Sequence, residues 1–359
     1  MLKKIYLALT GAALTRAALT GAVLMGAALT GAVLGSCSTG EAASAAAAQM
    51  LGSSSQALLF INCRAVSEEE IEFEFSQPVT VKSLSFEPAI EVASIEAGST
   101  VKVRLEESPL PGILFTADML AEDADRNTIN VLVPFRSRNN RMPSLVINEL
   151  CTEYSNAAAG KKTEFIEFKM KSAGNLGAMR VFILGNTNTA KLTVYEFMPV
   201  EVKADEYVTL HLRTYYETCI DEYGPSLEES TATDSSPMAR DFWMPGENKL
   251  IHKAASAVYV LDQDDNVLDA VMISETPAAW WGKDYLAEAA DFLFQQGEWK
   301  SSDGTICGPA DAVNSSATTN TRTICRDETV EDSNTAADWY IVYTSNATPG
   351  KPNNTRRWN

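Results

Sequence analysis

Short runs of alternating apolar and charged residues constrain the fold of this chain more than any other feature. Ile71-Glu72-Phe73-Glu74-Phe75 sets three large apolar side chains against two acids, and Val101-Lys102-Val103-Arg104-Leu105 repeats the pattern with bases. Successive side chains of a strand point to opposite faces, so each run buries one face and wets the other. Turn-forming clusters separate the runs: Ser76-Gln77-Pro78, Ala97-Gly98-Ser99 and Pro109-Leu110-Pro111-Gly112. Short strands at this spacing predict a β-sandwich over residues 57–142.

Residues 143–359 keep the same character. Leu145–Leu150, Glu164–Phe168 and Glu206–His211 read as strands, and Val258–Asp262 is joined by a polar turn to Asn266–Val271. Two long insertions interrupt this second sandwich, near Arg213–Ser256 and near Glu275–Asn320. The second contains Asp284 to Phe294, where Tyr285, Leu286, Ala289, Phe292 and Leu293 recur at helical spacing. An amphipathic helix lying on the sandwich follows. The expected fold class is therefore all-β: two sandwiches, the second with large insertions that include a short helix.

The beginning of the chain is different. Lys3 and Lys4 precede a long Ala/Leu/Thr/Gly/Val run without acids, repetitive in fives from Ala8 and ending at Leu34-Gly35-Ser36-Cys37. About 20 apolar residues suffice to span a bilayer, so a plain membrane anchor is one reading. A cysteine placed at the end of the apolar run points elsewhere. The segment resembles a bacterial lipoprotein signal peptide, residues 1–37, which implies cleavage before Cys37 and acyl chains on its thiol and new amino group. More than one acyl chain holds a protein stably on a membrane. Residues 38–56, rich in Ser, Ala and Gly, read as a flexible tether. The expected location is the cell envelope, on the inner or outer membrane and facing the periplasm or cell surface. With 47 Asp and Glu against 29 Lys and Arg, a net charge of −18 opposes binding to phosphate backbones, and no nucleic-acid partner is expected.

Two further resemblances come from the motifs. Phe73-Glu74-Phe75-Ser76-Gln77-Pro78-Val79 with the later Ala121-Glu122-Asp123-Ala124-Asp125-Arg126-Asn127 resembles bacterial immunoglobulin-like modules, although Arg126 stands where glycine is usual. Between 143 and 354, "INE" (Ile147-Asn148-Glu149), "EFIE" (Glu164–Glu167), the strands around Asp262 and Asp269, Arg322, Asp332, Asp338-Trp339 and Thr348-Pro349-Gly350-Lys351-Pro352-Asn353 follow the order seen in lamin tail domains. That resemblance implies an immunoglobulin-like sandwich serving as an accessory module in exported proteins, and not itself an enzyme.

The residues argue the same way. There are two histidines, His211 and His252, and no H-E-x-x-H helix, G-x-S-x-G elbow, P-loop or S-x-x-K. No catalytic residue, metal or cofactor is assigned. Asp123 with Asp125, and the cluster Asp262, Asp264, Asp265, Asn266 and Asp269, have spacings that touch on calcium loops. A turn held by Asx side chains explains the first and a hairpin the second, since Val267 and Ile273 replace the glycine and glutamate of an EF-hand. Trp280 and Trp281 are candidate ligand-binding residues for a glycan or protein, with core packing as the alternative. Export permits disulfides: Cys307–Cys325 is the first pairing expected, Cys151–Cys219 a weaker one, leaving Cys63 a free buried thiol. The leading function is a non-catalytic, lipid-anchored interaction or adhesion module. The rival is a lipid-anchored hydrolase with an acid-only or calcium-dependent site in the insertions.

Overall fold

The computed structural model describes residues 57–157, 160–185, 187 and 191–358. Strands dominate them and one α-helix is present, so the fold is all-β. The leader, tether and Cys37 lie outside the described residues. No helix among the described residues is long and apolar enough to cross a membrane.

The chain divides into two compact units. One holds the described residues up to Glu107 with Phe115–Phe135; the other holds Ser108–Leu114 with Arg136–Asn359. The segments 108–114 and 136–142 thus join the second unit, and hydrogen bonds say why. Ser137 donates from its Oγ to Leu110 O at 2.7 Å, and Asn139 Nδ2 donates to Asn175 O and Gly177 O, each at 2.8 Å. Arg138 makes a bidentate pair with Asp264, both contacts 2.6 Å.

In the first unit β1 (Phe60–Ala65), β2 (Glu70–Glu87), β3 (Val92–Glu96), β4 (Gly98–Leu105), β5 (Leu114–Asp123) and β6 (Thr128–Arg136) are linked in the order β3-β4-β2-β5-β6, with β1 also on β2. The long β2 pairs on successive stretches, Ile71 to Glu74 with β1 and β4 and Val79 to Glu87 with β5, with register shifts between Glu74 and Val79 and between Val81 and Ser83. The alternation read from the sequence is the packing pattern. Ile71, Phe73, Phe75, Val101, Val103 and Leu105 are all buried, while Glu74, Lys102 and Arg104 are exposed.

The second unit is a sandwich of two sheets. One runs β14 (Ala239–Trp243), β13 (Tyr207–His211), β8 (Phe165–Met170), β7 (Leu145–Cys151), β18 (Ile324–Arg326), β19 (Trp339–Ile341). The other runs β11 (Thr193–Glu196), β10 (Arg180–Gly185), β15 (Ala255–Leu261), β16 (Val267–Ser274), β17 (Val313–Asn314), and β9 (Gly174–Asn175) pairs separately with β12 (Glu201–Val202). Between the sheets lie Ile147, Ile166, Phe168, Val208, Leu210, Val258 and Val271, all buried.

Helix α1 (Asp284–Gln296) forms where the spacing predicts it, burying Leu286, Ala289, Ala290 and Leu293. It ends at Gly297, whose φ of 83° and backbone N–H bonds to Leu293 O and Phe294 O make a left-handed cap. The helix lies on β10, β15 and β16. All seven residues of β15 are buried, because one face meets the other sheet and the other lies beneath α1.

Candidate functional site

The outer face of the six-stranded sheet in the second unit carries the densest chemistry of the chain. Glu149 and Glu167 face outward from neighbouring strands β7 and β8 and pair across them. Both are completely buried, because the Thr348–Asn353 segment lies over them. The Thr348 N–H donates to Glu149 Oε2 at 3.0 Å, and the Gly350 N–H donates to Glu167 Oε2 at 2.5 Å. Asn148 Nδ2 donates to Glu167 Oε1 at 2.9 Å, and the Thr323 hydroxyl donates to Glu149 Oε1. Asn353 Nδ2 donates to Asn148 O and Arg326 O, each at 2.9 Å. Gly350 has φ +79°, and a Cβ there would come within 2.9 Å of Met238 C and Ala239 N. Burial raises both glutamates above the ordinary carboxylate range, the effect being larger for Glu167, which also faces the charge of Glu149. The "INE", "EFIE" and "TPGKPN" motifs, remote in sequence, therefore meet in one latch.

A second cluster ties the two sheets. Asp269 of β16 accepts two hydrogen bonds from Arg326, at 2.9 and 2.7 Å, and one from the Ile147 N–H at 2.5 Å. Arg326 Nε donates to Ile147 O at 2.8 Å, and its other branch pairs with Asp332 at 2.7 Å. Burial nevertheless pushes Asp269 up to about 6, with Arg326 opposing. Arg326, rather than the Arg322 singled out in the sequence, meets Asp269; the Arg322 guanidinium lies 4.0 Å from the Trp358 ring centroid. Asp338 accepts from the Ser333 and Thr335 N–H groups and shapes the turn before Trp339.

The third cluster is one the sequence did not announce. His211, fully buried on β13 and stacked on Trp243 at 3.8 Å, lies 2.9 Å from the Thr163 hydroxyl through Nδ1 and 2.9 Å from Asp241 through Nε2. Asp241 comes from β14, a parallel edge strand inside the first insertion. Its other oxygen accepts the Ser236 N–H at 2.8 Å. Asp234, raised by burial, accepts the Thr163 N–H at 2.5 Å and lies 3.2 Å from its hydroxyl. Thr163 lines a cleft of about 470 Å³ with Lys162, Asp234, Thr348 and Lys351. A nucleophilic hydroxyl needs an open path to substrate and a base with no competing acceptor. Thr163 is only 3% exposed, and its hydroxyl is held between the His211 ring and the Asp234 carboxylate.

The other expected residues separate. Trp281 is core, with its indole N–H donating to Cys307 O at 3.2 Å, whereas Trp280 is 59% exposed; the two do not form a joint platform. Cys307 and Cys325 are both free thiols in this structure. Each is settled in separate surroundings: Cys307 Sγ is 3.3 Å from Gly308 O, and Cys325 stands opposite Glu149 in the β7–β18 pair. Cys151 and Cys219 are likewise free, the first buried and the second half-buried; Cys63 is free and half-buried on β1. Burial pushes the Cys63, Cys151 and Cys307 thiols up to about 12.

The two acidic turns prove to be the same device. Asp123 Oδ1 accepts from the N–H groups of Asp125 and Asn127, and Asp262 Oδ1 accepts from those of Asp264 and Asn266. In each the asparagine amide closes on the second oxygen. The fourth residue is left-handed, Arg126 at φ 64° and Asp265 at φ 67°, which is why glycine is usual there. The aspartates that could face a cation hold the turns instead. Among the described residues no group of three or more His, Cys, Asp or Glu is placed to hold a metal ion.

Residues 143–341 match the family TP_1001_2nd, described as a protein second domain. The chain belongs to this family. Of solved structures, a DUF4876 family protein from Bacteroides thetaiotaomicron is similar at 13% identity, with 76% of this chain and 86% of that one covered and a TM-score of 0.28. The N-terminal part of the bacterial S-layer protein SbsC gives 14% identity, 64% and 46% coverage and a TM-score of 0.23. An α-L-rhamnosidase from Dictyoglumus thermophilum gives 13%, 61%, 29% and 0.20. No inference of function follows from likenesses at such TM-scores. No curated protein matches the sequence.

Proposed function

We propose that this member of the TP_1001_2nd family is a non-catalytic protein of a bacterial cell envelope, held on a membrane by acyl chains on Cys37 and facing the periplasm or cell surface. Its second unit, similar to lamin tail domains, acts as an interaction module for a protein or a glycan. The observation that carries the non-catalytic reading is the state of the residues best equipped for chemistry. Glu149, Glu167, His211 and Asp269 are each enclosed, and each is hydrogen-bonded by other groups of the chain. Groups satisfied in this way specify a fold and have no face left for a substrate. The anchoring reading rests on the basic start, the apolar run and Leu34-Gly35-Ser36-Cys37.

The test is made in cells that express the chain. Inhibiting the lipoprotein signal peptidase should make an uncleaved precursor accumulate, and Cys37→Ala should abolish processing. Normal processing of Cys37→Ala would contradict the anchor. Hydrolysis of ester or glycosidic substrates that disappears in His211→Gln or Glu167→Gln, with the fold retained, would contradict the non-catalytic reading.

A further inference from the structure

The cleft of about 470 Å³ beside Thr163 falls in the size range of small-ligand sites. Cys151 and Phe165, cross-strand partners at the end of the β7–β8 pair, line it. Residues 233–237 of the first insertion line it as well, together with Thr348, Pro349 and Lys351 of the closing segment. These two segments meet where Ser236 Oγ donates to Pro349 O at 3.1 Å.

Around Glu149, Glu167, Asp269 and His211 the chain answers its own polar groups, but in this cleft it leaves several open. Asp234 Oδ2 accepts the Thr163 N–H and faces its hydroxyl, so Oδ1 is left without a hydrogen bond among the described residues. The half-buried Asn320 amide has none either, and both groups reach solvent. Lys162 and Lys351 are exposed and make no ion pair among the described residues. Two ammoniums against one carboxylate make this lining basic, in a chain with 47 acids against 29 bases. An ammonium takes a carboxylate, and an amide such as that of Asn320 answers both the N–H and the C=O of a peptide bond. A saccharide needs an open aromatic face to stack on, and the one aromatic of this lining, Phe165, is 7% exposed.

We propose that this cleft binds a short acidic peptide segment. Lys162 and Lys351 take its carboxylates, Asn320 pairs with a peptide group, and Asp234 Oδ1 accepts a backbone N–H. The carboxylates come from acidic side chains or from a chain end, which present the same chemistry to the lysines. This inference rests on the reading of the second unit as an interaction module and selects a protein over a glycan as its partner.

The full-length chain in detergent is titrated, by fluorescence polarisation, with labelled pools of random hexapeptides. One pool carries fixed glutamates and a blocked C-terminus, one a free C-terminal carboxylate without acidic side chains, and a control pool carries glutamines and a blocked C-terminus. At least one carboxylate pool should bind saturably, about tenfold or more tighter than the control. Lys162→Gln with Lys351→Gln should bring it down to the level of the control, with the melting temperature unchanged because neither lysine is paired. Asn320→Ala should weaken binding about fivefold. No saturable binding of either carboxylate pool, equal binding of the control, or binding indifferent to the double lysine substitution would overturn the proposal. So would tighter, lysine-dependent binding of trigalacturonate, which would assign the cleft to a glycan. Cleavage of the bound peptides would keep the site and contradict the non-catalytic reading. An empty cleft on a protein still acylated at Cys37 would remove this assignment and leave the anchor standing.

Discussion

At the scale of single residues, the second unit places charge where water is excluded and then satisfies it. Removing one partner of such a pair leaves a charge without compensation, which costs about 3–5 kcal/mol, whereas an apolar replacement of both is often near neutral. Arg326→Met should therefore destabilise the second unit by roughly that amount, and adding Asp269→Leu should recover much of the loss; chemical denaturation of the single and double variants checks this. Equal stability of Arg326→Met and the parent would contradict the role given to Asp269. The aspartates of the two D-x-D-x-N turns act locally: Asp262→Ala should cost about 1–2 kcal/mol in the same measurement, by freeing two backbone N–H groups. Part of this was legible in the sequence. The Asx turn at Asp123 and the hairpin at Asp262 followed from residue type, but the meeting of Asp269 with Arg326 rather than Arg322 did not, because the strand register of β18 decides which arginine reaches it. Trp280 and Trp281 could not be told apart either, since which of two neighbouring loop residues turns inward depends on the chain packed beside them.

At the scale of elements, α1 and the alternating strands were readable because their periodicity reports the buried face directly. Strand β14 was not. Ala239-Arg240-Asp241-Phe242-Trp243 is buried at every position although it sits in an insertion, since Glu222 and Asp221 accept the Asp241 and Trp243 N–H groups and Arg240 turns to Glu206 at 2.7 Å. Polar residues enclosed by loops leave no periodic trace. The His211 array was hidden for that reason, as Thr163 and Asp241 stand far from it in sequence. The closing segment Thr348–Asn353 behaves as one element: Gly350→Ala forces a side chain into a left-handed backbone position and against Ala239, at a cost of about 2 kcal/mol or more. Faster hydrogen exchange confined to 348–353 and to the backbone beneath it is expected. Unchanged protection would contradict the latch.

At the scale of the whole molecule, the buried acids give the second unit a common pH dependence. Burial raises Glu149, Glu164, Glu167, Asp234 and Asp269 together, Glu164 to about 7 and Asp269 to about 6. Folding thus favours their protonated forms. Their contribution to stability is full below the unfolded range, near about pH 4, and is lost as pH rises through the folded values. For Glu164 this span corresponds to about 3 kcal/mol. The melting temperature should rise as pH falls from about 7.5 to 5, and Glu164→Gln should flatten the rise; a fall over that interval in the parent protein would contradict the assignment.

The proposed acylation of Cys37 decides where the chain resides, and intact mass analysis of the N-terminal peptide from protein extracted from cell membranes tests it most directly. It predicts a mature product beginning at Cys37, with a diacylglyceryl thioether on sulfur and an acyl group on nitrogen. A product with the leader intact, or with an unmodified thiol at Cys37, would contradict it.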